Sequence, residues 1–283
     1  MTGDLPHEPR AGEAAELEQD RFVGDTDLTR WHSRPGAALA RAGQRMGTRL
    51  GDRVALVVIL LAGCAVIAVL AFGFVRIYDS VTERDGIAAL DVPILHAAIH
   101  LRSAPLNTFC AVIAELFGGV GMPILATAAA VLFVALRRSW TPGILIAATG
   151  LGSIVLTTVG KDAIGRHRPA LIYAVPPFES SPSLPSGHTT STTAIVGIIV
   201  YLLILRQRSP LARTITISIG ALIALTVGLT RVLLGAHWFT DVLAGWCVGA
   251  AWLAVVITAH RVYLTGRKRR QAARAIRTGR TST

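Results

Sequence analysis

The run Val54-Ala-Leu-Val-Val-Ile-Leu-Leu-Ala-Gly-Cys-Ala-Val-Ile-Ala-Val-Leu-Ala-Phe-Gly-Phe-Val75 holds 22 residues without a charge and is closed by Arg53 and Arg76. At 1.5 Å per residue it makes about 33 Å of helix, enough to cross the roughly 30 Å apolar core of a bilayer. Five further apolar runs follow, at residues 119–136, 141–160, 187–205, 215–234 and 239–258. The pattern predicts an all-α polytopic membrane protein with six transmembrane helices. Between the first two runs, residues 76–117 mix apolar positions with Asp79, Glu83, Asp85, Asp91, His96, His100 and Arg102. Their apolar patch, 106–117, is too short to cross and contains Glu115, so it reads as an amphipathic or half-inserted segment at one surface.

The rest of the composition agrees. Of 283 residues 52% are hydrophobic and 16% charged, yet Lys and Arg outnumber Asp and Glu by 28 to 17. Mean hydropathy is +0.54. Long apolar runs and few charges argue against a nucleic-acid-binding protein and against disorder as the dominant state. Cys64, Cys110 and Cys247 lie inside apolar runs, too scattered for a disulfide framework or a metal cluster.

The placing of the charges predicts topology and three regions. Residues 1–53 carry eight Arg and nine acids and form an N-terminal tail; Asp4, Glu8 and Glu13 stand where a signal peptide would need basic residues. Arg41, Arg45 and Arg49 share one helical face, which suits either an interfacial helix or a solvated linker. Residues 54–260 form the membrane domain. Residues 261–283 carry eight basic residues and no acid, a basic tail suited to anionic inner-leaflet lipid. With six spans the two tails share a side with Arg137, Arg138, Arg206, Arg208 and Arg213, and the acid-leaning 76–117 loop faces the other. The excess of cations then puts both termini in the cytoplasm of a multi-pass cell-membrane protein. A seventh span would send one tail outward, against that bias.

The extracytoplasmic side collects polar groups at the very ends of spans. Lys161 closes the third run and is followed by Arg166, His167, Arg168 and Pro169; Pro185-Ser186-Gly187-His188 opens the fourth; Arg231 ends the fifth; His237 and Asp241 begin the sixth. A lone cation at a span end can reach the interface by snorkelling. Snorkelling does not account for the His, Asp, Ser and Gly that accompany the cations, and ionisable groups at such depth point to function. Lys161, Arg168 and Arg231 suit phosphate oxygens, and Ser186 with Gly187 opens a helix whose free N–H groups favour an anion. No carboxylate cluster suited to Mg²⁺ or Zn²⁺ accompanies them, so charge neutralisation falls to the cations, with no cofactor. His237 and Asp241, four apart, share a helical face. The pair is either a structural cap or a base held in one tautomer by its carboxylate. His188 is a second titratable group, fit to cap its helix or to donate a proton to a departing oxygen.

Together, Lys161-Asp-Ala-Ile-Gly-Arg-His-Arg168-Pro169, Pro185-Ser186-Gly187-His188 and Arg231…His237…Asp241 resemble the three motifs of the type 2 phosphatidic acid phosphatase (PAP2) superfamily, in order and on one membrane face. The resemblance covers about residues 54–260. One departure is Thr230, where the family usually has Ser, with the hydroxyl retained. It implies a PAP2-type helical-bundle core and a hydrolase in which His237 is the nucleophile, forming a phosphohistidine, and Asp241 orients it. His188 would protonate the leaving group, and Lys161, Arg168, Ser186, Gly187 and Arg231 would hold the phosphoryl oxygens. Arg166 and His167 fall at variable positions of the first motif and receive no role.

A site at the membrane–water boundary suits a lipid whose phosphate lies at headgroup level. The resemblance implies isoprenoid pyrophosphates of the undecaprenyl or decaprenyl type, or phosphatidic acid and phosphatidylglycerophosphate, the isoprenoid being preferred for this Ala- and Arg-rich chain. The loop 170–185 is either a lip over the entrance or a connector. A membrane phosphotransferase would use the same site with an acceptor other than water. A transporter ranks far lower, because the spans are apolar at mid-depth and no internal repeat is evident.

Overall fold

The computed structural model describes residues 51–277, together with a two-residue antiparallel ladder in which Phe22–Val23 (β1) pairs with Thr26–Asp27 (β2). The expected helical face of Arg41, Arg45 and Arg49 and the last residues of the basic tail lie outside the described residues.

Eight α-helices follow among the described residues: α1 Gly51–Glu83, α2 Asp91–His100, α3 Ala104–Leu116, α4 Gly121–Arg137, α5 Thr141–Ile164, α6 Gly187–Ile204, α7 Pro210–Leu233 and α8 Phe239–Arg277. Their ends follow local chemistry. Ser103 and Ser209 cap α3 and α7, accepting from Leu106 N and Ala212 N at 3.4 Å, each with a proline in the first turn. Gly165, at φ 64°, ends α5 by donating its N–H to Lys161 O at 2.9 Å. Helix α8 runs past residue 260 to Arg277 without a break, so the basic segment begins as a continuation of the last span.

Helices α1, α5, α6, α7 and α8 are each long and apolar enough to cross a membrane; α3 and α4 meet at 54° and pass that test only as a pair, as a sixth, broken span or a re-entrant loop. The segment expected to be half-inserted, 106–117, is the first limb of that pair. The break falls at Phe117-Gly118-Gly119-Val120-Gly121. A Cβ on Gly121 would lie 2.2 Å from Leu116 O and 2.4 Å from Glu115 O, so only glycine lets the chain fold back there.

Helix α8 is the centre of the bundle and packs against α1, α5, α6 and α7. Membrane helices gain little from apolar burial against one another and rely on close approach. At Gly249 a Cβ would stand 2.6 Å from Thr190 O, so α6 and α8 touch backbone to backbone. The outward faces present large apolar side chains: Leu61, Phe72, Leu132 and Leu222 are all more than half exposed, as lipid-facing positions require. Because successive spans reverse direction, the end of α5, the start of α6, the end of α7 and the start of α8 meet at one end of the bundle. There α2 and α3 pack over α7, and α2 also reaches α8.

Candidate active site

Every residue singled out from the sequence lies at that end. Arg231, in the last turn of α7, is fully buried, as are His237, Asp241 and Ser186, and Lys161 is buried one turn from the end of α5. Gly235, at φ 67°, makes the turn between α7 and α8; a Cβ there would strike Tyr173 O at 2.2 Å. His237 precedes α8 instead of lying within it, so the helical face expected for His237 and Asp241 is not what joins them. The turn itself brings His237 Nδ1 to 3.4 Å from Asp241 Oδ2, with Ser183 Oγ at 3.4 Å on the same nitrogen.

The hydrogen-bond partners assign the imidazole tautomers. Arg168 Nη1 can only donate, and it lies 3.0 Å from His237 Nε2, which therefore accepts and carries a lone pair on the open side of the ring. Nδ1–H then faces Asp241. His188 Nε2 lies 3.1 Å from the carbonyl of Ala114, an acceptor only, so Nε2–H donates and Nδ1 faces the site.

One carboxylate that the sequence reading did not single out joins these groups. Glu179, in the loop before α6, accepts from Arg168 Nη2 at 2.7 Å and pairs with Arg231 Nη2, while its oxygens lie 3.4 Å from His188 Nδ1 and 3.7 Å from His237 Nε2. Burial alone would raise its pKa. The positive field of Arg231 beside it outweighs burial and holds the carboxyl well below the usual carboxylate range. An anion with two oxygens thus occupies the convergence of two arginines and two histidines. Arg231 Nε and Nη1 are buried and have no partner among the described residues, which leaves donors to spare for a larger anion.

The remaining groups ring this point. Lys161 Nζ donates to Ser181 Oγ at 2.7 Å, and Arg168 also bonds Ser181 O and Ala236 O at 2.7 Å. Gly187 opens α6 with its amide in the unbonded first turn. Ser186 occupies the N-cap position but bonds no amide of its helix. Its Oγ accepts from Thr189 Oγ1 at 2.9 Å and its N–H donates to Asp241 O at 3.1 Å, so it ties α6 to α8. Arg166, set aside as a variable motif position, is the ion-pair partner of Asp241 at 2.6 Å and of Asp91 at 2.7 Å. Neither Arg166, Glu179 nor Asp91 had a spacing that marked it. Their partners lie 52 to 149 positions away, except for Arg168 and His188 on either side of Glu179, and only the folded chain joins them.

Two cavities open from this point. One, of about 620 Å³, runs between α4, α5 and α6 from Lys161, Glu179 and His188 past Met122, Ala147 and Gly150. Val131, Leu151 and Ile154 line it and are more than half exposed, so it opens sideways toward lipid. The other, of about 350 Å³, lies beneath the loop at Arg168, Pro177 and Glu179 and is more polar.

The sequence model of the PAP2 superfamily matches residues 141–263. Phosphatidylglycerophosphatase B of Bacillus subtilis (strain 168) is 31% identical over 182 residues, which cover 63% of this chain and 87% of the relative. The chain belongs to the PAP2 superfamily. The lipid A 1-phosphatase of Rhizobium johnstonii is 33% identical over 130 residues, 43% of this chain and 48% of that protein. A solved transmembrane PAP2 type phosphatidylglycerolphosphate phosphatase from Bacillus subtilis superposes with a TM-score of 0.61 at 28% identity, covering 68% of this chain and 94% of that one. The protein is a multi-pass membrane phosphatase of that superfamily. The PAP2 match contains Lys161, Arg168, Ser186, Gly187, His188, Arg231, His237 and Asp241, whereas Asp91 lies before it.

Proposed function

We propose that the protein removes a phosphate from a membrane lipid through a phosphohistidine on His237. The observation that carries this reading is the convergence of Arg168, Arg231, His188 and His237 on one anion position at the mouth of an apolar groove that opens to lipid. The substrate phosphate displaces the Glu179 carboxylate and takes over its partners, with the spare Arg231 donors, the Gly187 amide and Lys161 holding its oxygens. The lone pair of His237 Nε2 attacks phosphorus and the bond to the leaving oxygen breaks, while protonated His188 gives that oxygen the proton on Nδ1. Asp241 stabilises the charge gained by His237. Water then attacks the phosphohistidine, His188 takes up its proton, and inorganic phosphate leaves with His237 restored. The cations supply the charge neutralisation, so turnover persists in EDTA.

The tail of the substrate lies in the 620 Å³ groove. The named relatives act on phosphatidylglycerophosphate and lipid A, which favours a glycerolipid or related lipid phosphate over the isoprenoid pyrophosphate preferred from composition. The distribution of Arg supports an extracytoplasmic site, both termini in the cytoplasm, and the basic segment after residue 260 lying on anionic inner-leaflet lipid.

The test is inorganic phosphate release from a panel of radiolabelled lipid phosphates by purified protein, with acid-labile phosphoenzyme trapped in parallel. His237→Ala should abolish both while the protein stays inserted; turnover retained above a few percent would overturn the nucleophile. Phosphate release without an added acceptor separates hydrolysis from phosphotransfer. Labelling of a Ser180→Cys variant, at an exposed position of the same loop, from the cytoplasmic side would overturn the orientation.

A further inference from the structure

The network behind Asp241 reaches a segment with no part in the PAP2 motifs. Asp91, the first residue of α2, is buried. Its Oδ1 accepts the N–H of Thr240 at 2.9 Å and its Oδ2 the hydroxyl of Thr240 at 2.7 Å, so α2 supplies an anion to the first turn of α8. Arg166 lies between the two carboxylates. Nη2 pairs with Asp91 Oδ2 at 2.7 Å, Nη1 pairs with Asp241 Oδ1 at 2.6 Å and also donates to Thr240 Oγ1 at 2.7 Å, and the guanidinium sits 5.7 Å from the centre of the Trp238 ring.

Asp241 is thereby held at both oxygens. Arg166 takes Oδ1; Ser183 Oγ, Trp238 N at 2.9 Å and His237 Nδ1 share Oδ2. Without the guanidinium, two buried carboxylates would face each other across Thr240 with no cation between them. Like charges so placed repel, and one must turn away or take up a proton. When Asp241 is the one to respond, the acceptor that holds His237 Nδ1–H turns away or loses its negative charge. A charge-neutral, untethered Asp241 leaves the imidazole free to rotate or to change tautomer, and displacement of a nucleophile by about 1 Å costs about 100-fold in rate.

We infer that Arg166 and Asp91 are positioning residues that act on His237 through Asp241, bringing α2, outside the PAP2-matched segment, into the catalytic machinery. The inference rests on the phosphohistidine reading above. Arg166 has no contact with Glu179, which stands at the anion position, so its loss should affect the chemical step and leave phosphate binding alone.

The experiment measures kcat and KM on a lipid phosphate in detergent, the inhibition constant for inorganic phosphate, and the single-turnover rate of phosphoenzyme formation, for the unmodified protein, Arg166→Gln, Arg166→Lys, Asp91→Asn and the Asp91→Asn/Arg166→Gln double variant. Arg166→Gln should lower kcat and phosphoenzyme formation by about 30- to 100-fold, with KM and phosphate inhibition within about twofold. Arg166→Lys, which keeps the charge but not the fork, should fall between. Asp91→Asn still accepts the Thr240 amide and should cost about three- to tenfold, and the double variant should be no worse than Arg166→Gln, because removing Asp91's charge relieves the repulsion. A structural defect alone would lower the folded fraction and leave kcat per folded, phosphate-binding molecule unchanged, which would overturn the inference. So would unchanged kcat, or a raised KM and phosphate constant at normal kcat, which would make Arg166 part of the phosphate cradle. Should Arg166→Gln fail to insert, the same split read on Arg166→Lys decides. An unmodified protein that forms no phosphoenzyme overturns the phosphohistidine reading itself, a result separate from these.

Discussion

The two ends of the helical bundle both carry arginines and treat them differently. At the end where α5, α6, α7 and α8 meet around Glu179, Arg231, His237 and Asp241 are fully buried, and the cations are matched by Glu179, Asp241 and Asp91. At the opposite end Arg206 and Arg208 are exposed, Arg213 donates to Gln207 O at 2.9 Å and Arg208 O at 3.1 Å, and Arg137 reaches the carbonyl of Leu202 and the face of Phe133. Those carbonyls sit at the end of α6 and in the turn after it, where the last carbonyls of a helix lack intrahelical partners. Identical side chains at the two ends therefore do two jobs. One set meets backbone carbonyls at a helix end; the other is held in a buried charge network with donors left over. Burial with unspent donors, not the presence of Arg, separates a site from an anchor.

The sharpest way to break this contrast is to keep the charge and remove the geometry. Arg231→Lys retains a cation at the site but loses the planar fork that meets Glu179 and leaves Nε and Nη1 to spare. Phosphate release should fall about 100- to 1,000-fold, the cost of losing an oriented donor to a developing charge. A loss of less than tenfold would mean that the end needs only positive charge, as the other end does.

Next in size is the groove. Ala147→Phe fills the cavity between α4, α5 and α6 without touching a charged group. It should lower kcat/KM on a long-chain lipid phosphate about tenfold and leave a short-chain, water-soluble phosphate ester within about twofold, since an apolar pocket discriminates by fit. Equal loss on both substrates would put the lipid tail elsewhere.

Smaller again is Glu179→Gln. If the carboxylate holds the anion position until substrate displaces it, the binding-competent fraction rises when the charge is removed, and KM and the phosphate inhibition constant should fall about fivefold. A rise in both would make Glu179 a substrate contact. The variant also has a pH signature. The folded carboxyl is held below its unfolded value, so its ion pairs stabilise the protein above the ordinary carboxylate range and that contribution is lost as pH falls through the lowered value. The unmodified protein should therefore be the more heat-stable at neutral pH, and its margin over Glu179→Gln should shrink in strong acid, as followed by thermal unfolding in detergent.

The spans are legible in the sequence because uncharged runs long enough to cross a bilayer are rare in water-soluble folds, and the site end because each motif residue sits where a run stops. Lys161, Arg168, His188, Arg231, His237 and Asp241 come together as the three motifs imply. Glu179 and Asp91 are not legible. An acid in a loop has no periodicity, and Asp91 meets Thr240 across 149 positions, a contact that exists only once α2 lies over the start of α8. The break between α3 and α4 is half legible: the glycines at 118, 119 and 121 are visible, but the run beyond them has the length of a whole span, and the helix before them the composition of a surface segment. The i, i+4 spacing does pair His237 with Asp241, though through the turn at Gly235 in place of a shared helical face.

The smallest effect belongs to the opposite end and gives the contrast its control. Arg206 and Arg208 are exposed in the turn between α6 and α7, where each gains little from burial and is screened by salt. Arg206→Gln/Arg208→Gln should leave kcat and KM within about twofold, because nothing at that end touches the anion position. Its effect should appear instead in insertion. In the proposed orientation two fewer cations weaken the bias toward a cytoplasmic turn, so a minor fraction of chains should insert in the reverse sense, read as a small rise in the fraction of an exposed Ser180→Cys reporter that labels from the cytoplasm. A tenfold fall in kcat with unchanged labelling would show that the two ends are coupled through α6 and α7, and that the arginines of the far turn are more than a marker of side.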